Sequence, residues 1–401
     1  VKFLFYFKSL FKLSVIEILY RFTNYIIFYL ILKSYSVNLV GEILYGQQLL
    51  AILVVFTNFG FDLFSTTEIQ KGRYNVIYYN IQLKFLITFS LIFTNIMIHS
   101  FINFSVSSYL ITIFYSLSLL PLSLNTTWYS YIRHDVRNIT YSRIIESACY
   151  FILALFIIKN ASAFFIPIAF FLSTLLASFF LFKKNNLQFN NLFFLSKNKL
   201  QQLIYGSLPY GISLGLIAIY LNVDVIMLRY IRSDYAVGLY SIPLKLYLIA
   251  QIPFPILMSF FFPINVKNSI AHHYSIKSFT VFYFLSLGVG LLSAIVLFNF
   301  VNDIIHLLNL GSYSSSIVAI QLLAIGIVVK SLNIVIGNSL LSYDYKIFFA
   351  AASFLGLLIN FILNFLFIPR FSYNGAAFTT MLTEVIIFFI FLTKLKNVHL
   401  S

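Results

Sequence analysis

Residues 183–202 read Lys183-Lys-Asn-Asn-Leu-Gln-Phe-Asn-Asn-Leu-Phe-Phe-Leu-Ser-Lys-Asn-Lys-Leu-Gln-Gln202, the longest polar interruption in a chain that is otherwise almost continuously apolar. On either side of it the sequence breaks into windows of about 20 residues, the length at which a helix crosses a hydrocarbon core. Before it lie Leu13–Leu32, Ile43–Ser65, Ile77–Ile98, Val106–Asn125, Tyr141–Ile158 and Ala161–Phe182. After it lie Leu203–Met227, Tyr235–Pro263, Phe279–Phe300, Ser316–Leu340, Phe348–Phe367 and Asn374–Thr393. The pattern predicts an all-α integral membrane protein of about 12 transmembrane helices, with six-helix bundles at 1–182 and 203–401 joined by a cytoplasmic linker at 183–202.

Composition agrees. Over 401 residues the chain is 61% hydrophobic and only 9% charged, against a charged share of about 25% in soluble domains. Helices are expected because lipid offers no partner for backbone polar groups. A porin-type barrel needs short strands of alternating polarity, and Ser286–Val301 has no such alternation. The first window is too long for a signal h-region and no small-residue cleavage site follows it, so it is expected to be a retained helix. The single cysteine, Cys149, excludes an internal disulfide and sits in an apolar window, as a packing thiol does.

The net charge of +15 raises nucleic acid as a partner, but its distribution answers otherwise. With the N-terminus in the cytoplasm, 17 of the 26 Lys and Arg residues fall on the inner side and only Lys33, Lys159, Arg229, Arg232 and Arg370 on the outer. That is the positive-inside asymmetry, and it predicts both termini in the cytoplasm and no nucleic-acid binding.

An internal repeat accompanies the division. Glu42-Ile-Leu-Tyr-Gly46 heads the second window and Asp234-Tyr-Ala-Val-Gly238 the eighth, which fits two parallel six-helix repeats. Window seven carries Gly206, Pro209, Gly211 and Gly215, and window eight carries Pro243, Pro253, Pro255 and Pro263. Proline removes a helical hydrogen bond, so these windows are either statically kinked or working hinges.

Enzyme readings fail on what the sequence lacks. The histidines His99, His134, His272, His273, His306 and His399 fall at loops or window ends, without metal-ligand spacing, and there is no Walker-type phosphate loop. Gly288-Val-Gly290 lacks a third glycine and lies inside an apolar window. No cofactor is expected.

Four cations remain inside the windows: Arg21, Lys84, Lys245 and Lys330. Each costs about 2.5–3.5 kcal/mol near the centre of a lipid-facing helix, so each needs a wet or paired interior. Glu17 and Arg21 are four apart, the spacing of an ion pair on one helix face. Lys84 lies near a window end and is expected to snorkel to the surface, whereas Lys245 and Lys330 lie deeper and point to an interior role. Asp62 and Asp224 lie near window ends, which suits a cap or interfacial position, and Glu146 completes the acids. Glu384 is central in the last window, where an acid either pairs across helices or serves a proton relay. Tyr210, Tyr220, Tyr240 and Tyr247 are candidates to stack on sugar rings.

Leu221-Asn-Val-Asp-Val-Ile-Met-Leu228, followed by Val237-Gly-Leu-Tyr-Ser-Ile-Pro-Leu-Lys-Leu246, resembles the window-seven and window-eight signature of the O-antigen and exopolysaccharide repeat-unit flippases of the Wzx type. Asn360-Phe-Ile-Leu-Asn364, Phe367-Ile-Pro369 and Asn374-Gly-Ala-Ala377 resemble the same family's run near its end. That family belongs to the multidrug/oligosaccharidyl-lipid/polysaccharide exporter superfamily. The resemblance implies two bundles around a central cavity and alternating access in the bacterial inner membrane. It implies a cargo of undecaprenyl-pyrophosphate-linked oligosaccharide, and contact with a polymerase and a chain-length regulator. Lys245 matches the family's lysine, although Pro243 replaces the usual alanine, and Asp224 matches the acid of window seven. Arg21 and Lys330 match only the expectation of a cationic lumen. The alternatives are a cation-coupled drug exporter of the same superfamily and, further off, a membrane polysaccharide polymerase.

Overall fold

The computed structural model describes residues 2–101, 105–133, 135–188, 197–270, 276–343 and 345–400. Residues 189–196 of the expected linker, and His134, His272 and His273, lie outside the described residues. Among the described residues, eleven helical stretches are long and apolar enough to cross a membrane by length and composition. They fall on all twelve windows, because the last two windows run together in the Ile347–Lys394 stretch.

That stretch is a helical hairpin. Its backbone leaves helical geometry at Ser372, at φ 53° and ψ −132°, and the contacts on either side are symmetric about that residue. Asn360 donates to Thr383 and Thr379 donates to Asn364, while Phe367 packs on Phe378 and Phe349 stacks on Phe391. Contacts whose residue numbers sum to a near-constant value are the mark of antiparallel helices. The twelfth span is therefore present, and about 12 spanning helices describe the chain.

Three helices start where a polar side chain fills an orphan backbone donor. Ser105 accepts from the amide of Ser108, Asp135 from that of Asn138, and Ser233 from that of Ala236, each an N-cap of the ordinary kind. Arg232 serves the opposite end. It donates to the carbonyls of Ile368 and Pro369, 3.1 Å away in the first case, just where the hairpin leaves carbonyls without helical partners.

The chain divides into two compact units, Val1–Ala218 and Ile219–Ser401. The division falls inside the continuous helix Lys197–Ile231, which accommodates Pro209. In the first unit Lys2–Ser34 packs on Val136–Asn160, which packs on Ile166–Lys184, while Val37–Asn58 packs on Val106–Leu117. Gly60, at φ 72°, turns the chain between Val37–Asn58 and Phe61–Gln70, and an added Cβ would crowd the Gly211 amide at 2.8 Å. In the second unit Ile317–Ser342 is the central helix, packed on the hairpin, Ile276–Asn299, Asp234–Ala250 and Pro253–Ile270. The eighth window breaks at Gln251–Ile252, because the residue before Pro253 is disfavoured in helical geometry.

The two acids of the expected repeat have different partners. Glu42 accepts from Ser105 and Ser107 at the head of the fourth span. Asp234 pairs with the buried Arg229 at 2.8 Å, and nearby Ser316, at the head of the tenth span, donates to the Leu239 carbonyl.

Candidate functional site

The second unit buries a connected set of charged and polar side chains around its central helix. Lys330 on Ile317–Ser342 lies 2.7 Å from Glu384 on the returning arm of the hairpin. Asn333, one turn further along the same helix, donates to the other carboxylate oxygen at 2.9 Å, and Tyr220 of Lys197–Ile231 donates to the first at 3.1 Å. Three donors thus converge on one carboxylate that is 3% exposed. The Lys330 ammonium also lies against the rings of Tyr220 and Tyr247, 6.0 and 5.8 Å from their centroids, within cation–π range. A buried charge so surrounded has its desolvation largely offset.

One turn along the helix from Tyr220, Asp224 anchors a neighbouring cluster. Its carboxylate accepts from Asn364 and Thr380, at 2.6 Å in each case, and faces the Tyr240 hydroxyl. Asn364 in turn donates to Asn360 and accepts from Thr379. The cluster offers an oxygen-only donor set, the chemistry of a hard-cation site. In this arrangement, however, the carboxylate is already satisfied by protein donors. No group of three or more His, Cys, Asp or Glu is placed to hold a metal among the described residues.

The structure brings Lys330, Glu384 and Asp224 together with their tyrosines, and corrects several expectations. Asp224 is not a helix cap: it lies inside Lys197–Ile231 and is bonded across helices to the hairpin. Glu384 pairs across helices, the first of its two expected alternatives. Tyr240 is 1% exposed and Tyr247 6%, so both line the charges and neither presents a face for a sugar ring. Lys245 is half-buried on Asp234–Ala250. At about 100° per residue it lies roughly 140° around that helix from Tyr240.

The first unit holds its own intramembrane pair. Lys84, 1% exposed, lies 2.5 Å from Asp62, and Asn80 bridges Asp62 to Ser65. The expected snorkelling of Lys84 is therefore wrong, and Asp62 is its partner. Burial is tolerated because the Asp62 carboxylate, itself held by Asn80, takes the place of water at the ammonium. Glu17 does not pair with Arg21 either: its ion pair runs to Arg143, at 3.4 Å, and Arg21 is exposed. Arg143 also holds Glu146 at 3.2 Å, lies over the Tyr20 ring at 4.7 Å, and leaves the Tyr20 hydroxyl to donate to Glu146. A cross-helix guanidinium donor, stacked on an aromatic ring, outcompetes the local i, i+4 spacing.

Asn333, Asn364, Thr379 and Thr380 join the site beyond the residues expected from sequence. The available signal was their spacing. Thr379, Thr380, Thr383 and Glu384 share one face of a helix, as do Asn360 with Asn364 and Tyr220 with Asp224.

No family model matches the chain, and no curated protein sequence does. Solved structures do match over nearly its full length. An inward-facing multidrug resistance MATE family transporter of the MOP superfamily aligns with a TM-score of 0.74 at 10% identity, covering 94% of this chain and 95% of that one. The lipid II flippase MurJ, in an inward closed conformation, aligns with a TM-score of 0.76 at 14% identity over 96% of this chain and 87% of that one. A MOP superfamily transporter from Pyrococcus furiosus, described as having a binding pocket of reverse polarity, aligns at 0.62 and 12% identity over 98% and 96% of the two chains. At these identities the likeness is one of fold. The chain has the fold that these MOP superfamily transporters and flippases share.

Proposed function

We propose that the chain is a flippase that moves an undecaprenyl-pyrophosphate-linked oligosaccharide across the bacterial inner membrane by alternating access, with both termini in the cytoplasm. The observation that carries this reading is the convergence of Lys330, Asn333 and Tyr220 on a single buried carboxylate. Three donors that hold a carboxylate also suit a phosphate oxygen, by the same charge-assisted hydrogen bonds. Carrying a pyrophosphate through hydrocarbon unpaired is prohibitive, and a pair that can exchange Glu384 for a phosphate lowers that barrier while keeping the site neutral when empty. Lys245, on the Asp234–Ala250 helix, supplies a second, dispersed cation, which keeps binding reversible. MurJ, which shares the fold, is described as a lipid II flippase, and this supports a lipid-linked cargo.

The test is a charge-neutral double variant. K330Q/E384Q removes both charges and leaves no buried ion unpaired, so membrane abundance should persist while surface polysaccharide is lost. Normal surface polysaccharide in that variant, or in K330Q/E384Q/K245Q, overturns the assigned roles.

A second reading, a cation-coupled drug exporter, is favoured by the Asp224 cluster, whose acid accepts from the neutral donors Asn364 and Thr380. Drug resistance on expression that depends on Asp224 and not on Lys330 would select it.

A further inference from the structure

At one end of the first unit, where the Val76–Phe101 helix begins, a cleft of about 530 Å³ opens between the 68–79 turn and the start of the Lys197–Ile231 helix. Phe64, Val76 and Leu203 give its wall apolar surface beside the polar Glu68, Asn75 and Gln202, and Arg73, Lys199 and Tyr74 also line it. Tyr74 is 60% exposed and also lines a neighbouring cleft that holds Arg133, Asn185 and Asn186. These shared walls place the cations Lys71, Arg73, Arg133 and Lys199 at the same end of the unit. They belong to the side that the positive-inside asymmetry assigns to the cytosol.

The rim cations are held in place. The buried Glu68 accepts from Lys71 at 2.9 Å and from Arg73 at 2.6 Å. The Lys199 ammonium rests over the Tyr79 ring, 5.4 Å from its centroid. One carboxylate against three cations leaves the rim positive. Gly72, at φ 83°, has nothing within 4 Å of where a Cβ would stand, so the turn leaves the mouth open. Basic side chains beside apolar surface, at an end of the spanning helices, match a phosphate headgroup and the start of its hydrocarbon chain.

We infer that this cleft is a binding site for the phosphate headgroup of an anionic lipid in the cytosolic leaflet. The cleft lies wholly in the first unit, and the inference does not depend on the cargo proposed above. Two lipids offer that chemistry, a bulk anionic phospholipid and a polyprenyl phosphate. Arg73 would take phosphate oxygens with the guanidinium face not spent on Glu68, and Lys199 would add a point charge from the facing helix.

The test uses the full-length protein in phosphatidylcholine nanodiscs containing either phosphatidylglycerol or undecaprenyl phosphate, with retained lipid measured by native mass spectrometry. Wild type should retain one or both, and R73Q/K199Q should retain at least tenfold less, while K394Q, outside the cleft, should match wild type. E68Q should raise retention, because it removes the anion beneath the rim and keeps a hydrogen-bonding side chain. A purely structural role for Glu68 would not produce that gain. Retention of phosphatidylglycerol, of undecaprenyl phosphate or of both names the source. Equal retention by R73Q/K199Q and wild type, or no retention of either lipid by the folded protein, overturns the inference.

Discussion

Lys330 and Glu384, 54 residues apart, meet at 2.7 Å inside the second unit, and Lys84 and Asp62 meet at 2.5 Å inside the first. Each unit thus compensates a lysine inside a spanning helix with an acid from another helix. Breaking such a pair strands a charge, whereas removing both partners does not.

Lys330→Ala should therefore cost stability on the order of 3 kcal/mol, with lower membrane abundance and a lower melting temperature in detergent. K330Q/E384Q should recover most of that loss. A single variant as stable as wild type would mean that the pair contributes nothing to the buried network.

In the first unit, Asp62→Ala should be the more harmful half of its pair, because it abandons an ammonium that is 1% exposed, whereas the carboxylate side chain of Asp62 is 27% exposed. The expected cost is again about 3 kcal/mol, and Lys84→Met should cost less. Thermal unfolding of the two purified variants measures the order, and the reverse order would contradict the burial argument.

Ser372 holds a positive φ with an extended negative ψ, a region that side chains rarely adopt. Ser372→Gly should raise stability by roughly 1 kcal/mol if the hairpin turn is kept. Ser372→Val should lower it. Both are read as shifts in the melting temperature of the purified protein.

Element existence was legible because a membrane helix must be both long and apolar, and all twelve windows meet described helices. Pairing was less legible. Lys84 and Glu17 were read from their own surroundings, a nearby window end and an i, i+4 neighbour, yet both were claimed by partners on other helices. Asp224 looked peripheral by its position in a window that the structure extends to Ile231. The polar faces of the hairpin could be seen as Asn360/Asn364 and Thr379/Thr380/Thr383/Glu384. What they bind depends on a reversal at Ser372, which carries no glycine to announce it.

The central claim is translocation itself. Purified protein reconstituted in liposomes with undecaprenyl-pyrophosphate-linked oligosaccharide on one leaflet can be assayed by accessibility of the sugar to a lectin on the other. The account predicts transfer by wild type, at least tenfold slower transfer by K330Q/E384Q at equal protein, and no resistance to cationic drugs on expression. No transfer by folded wild-type protein, or transfer unchanged in the double variant, would contradict it.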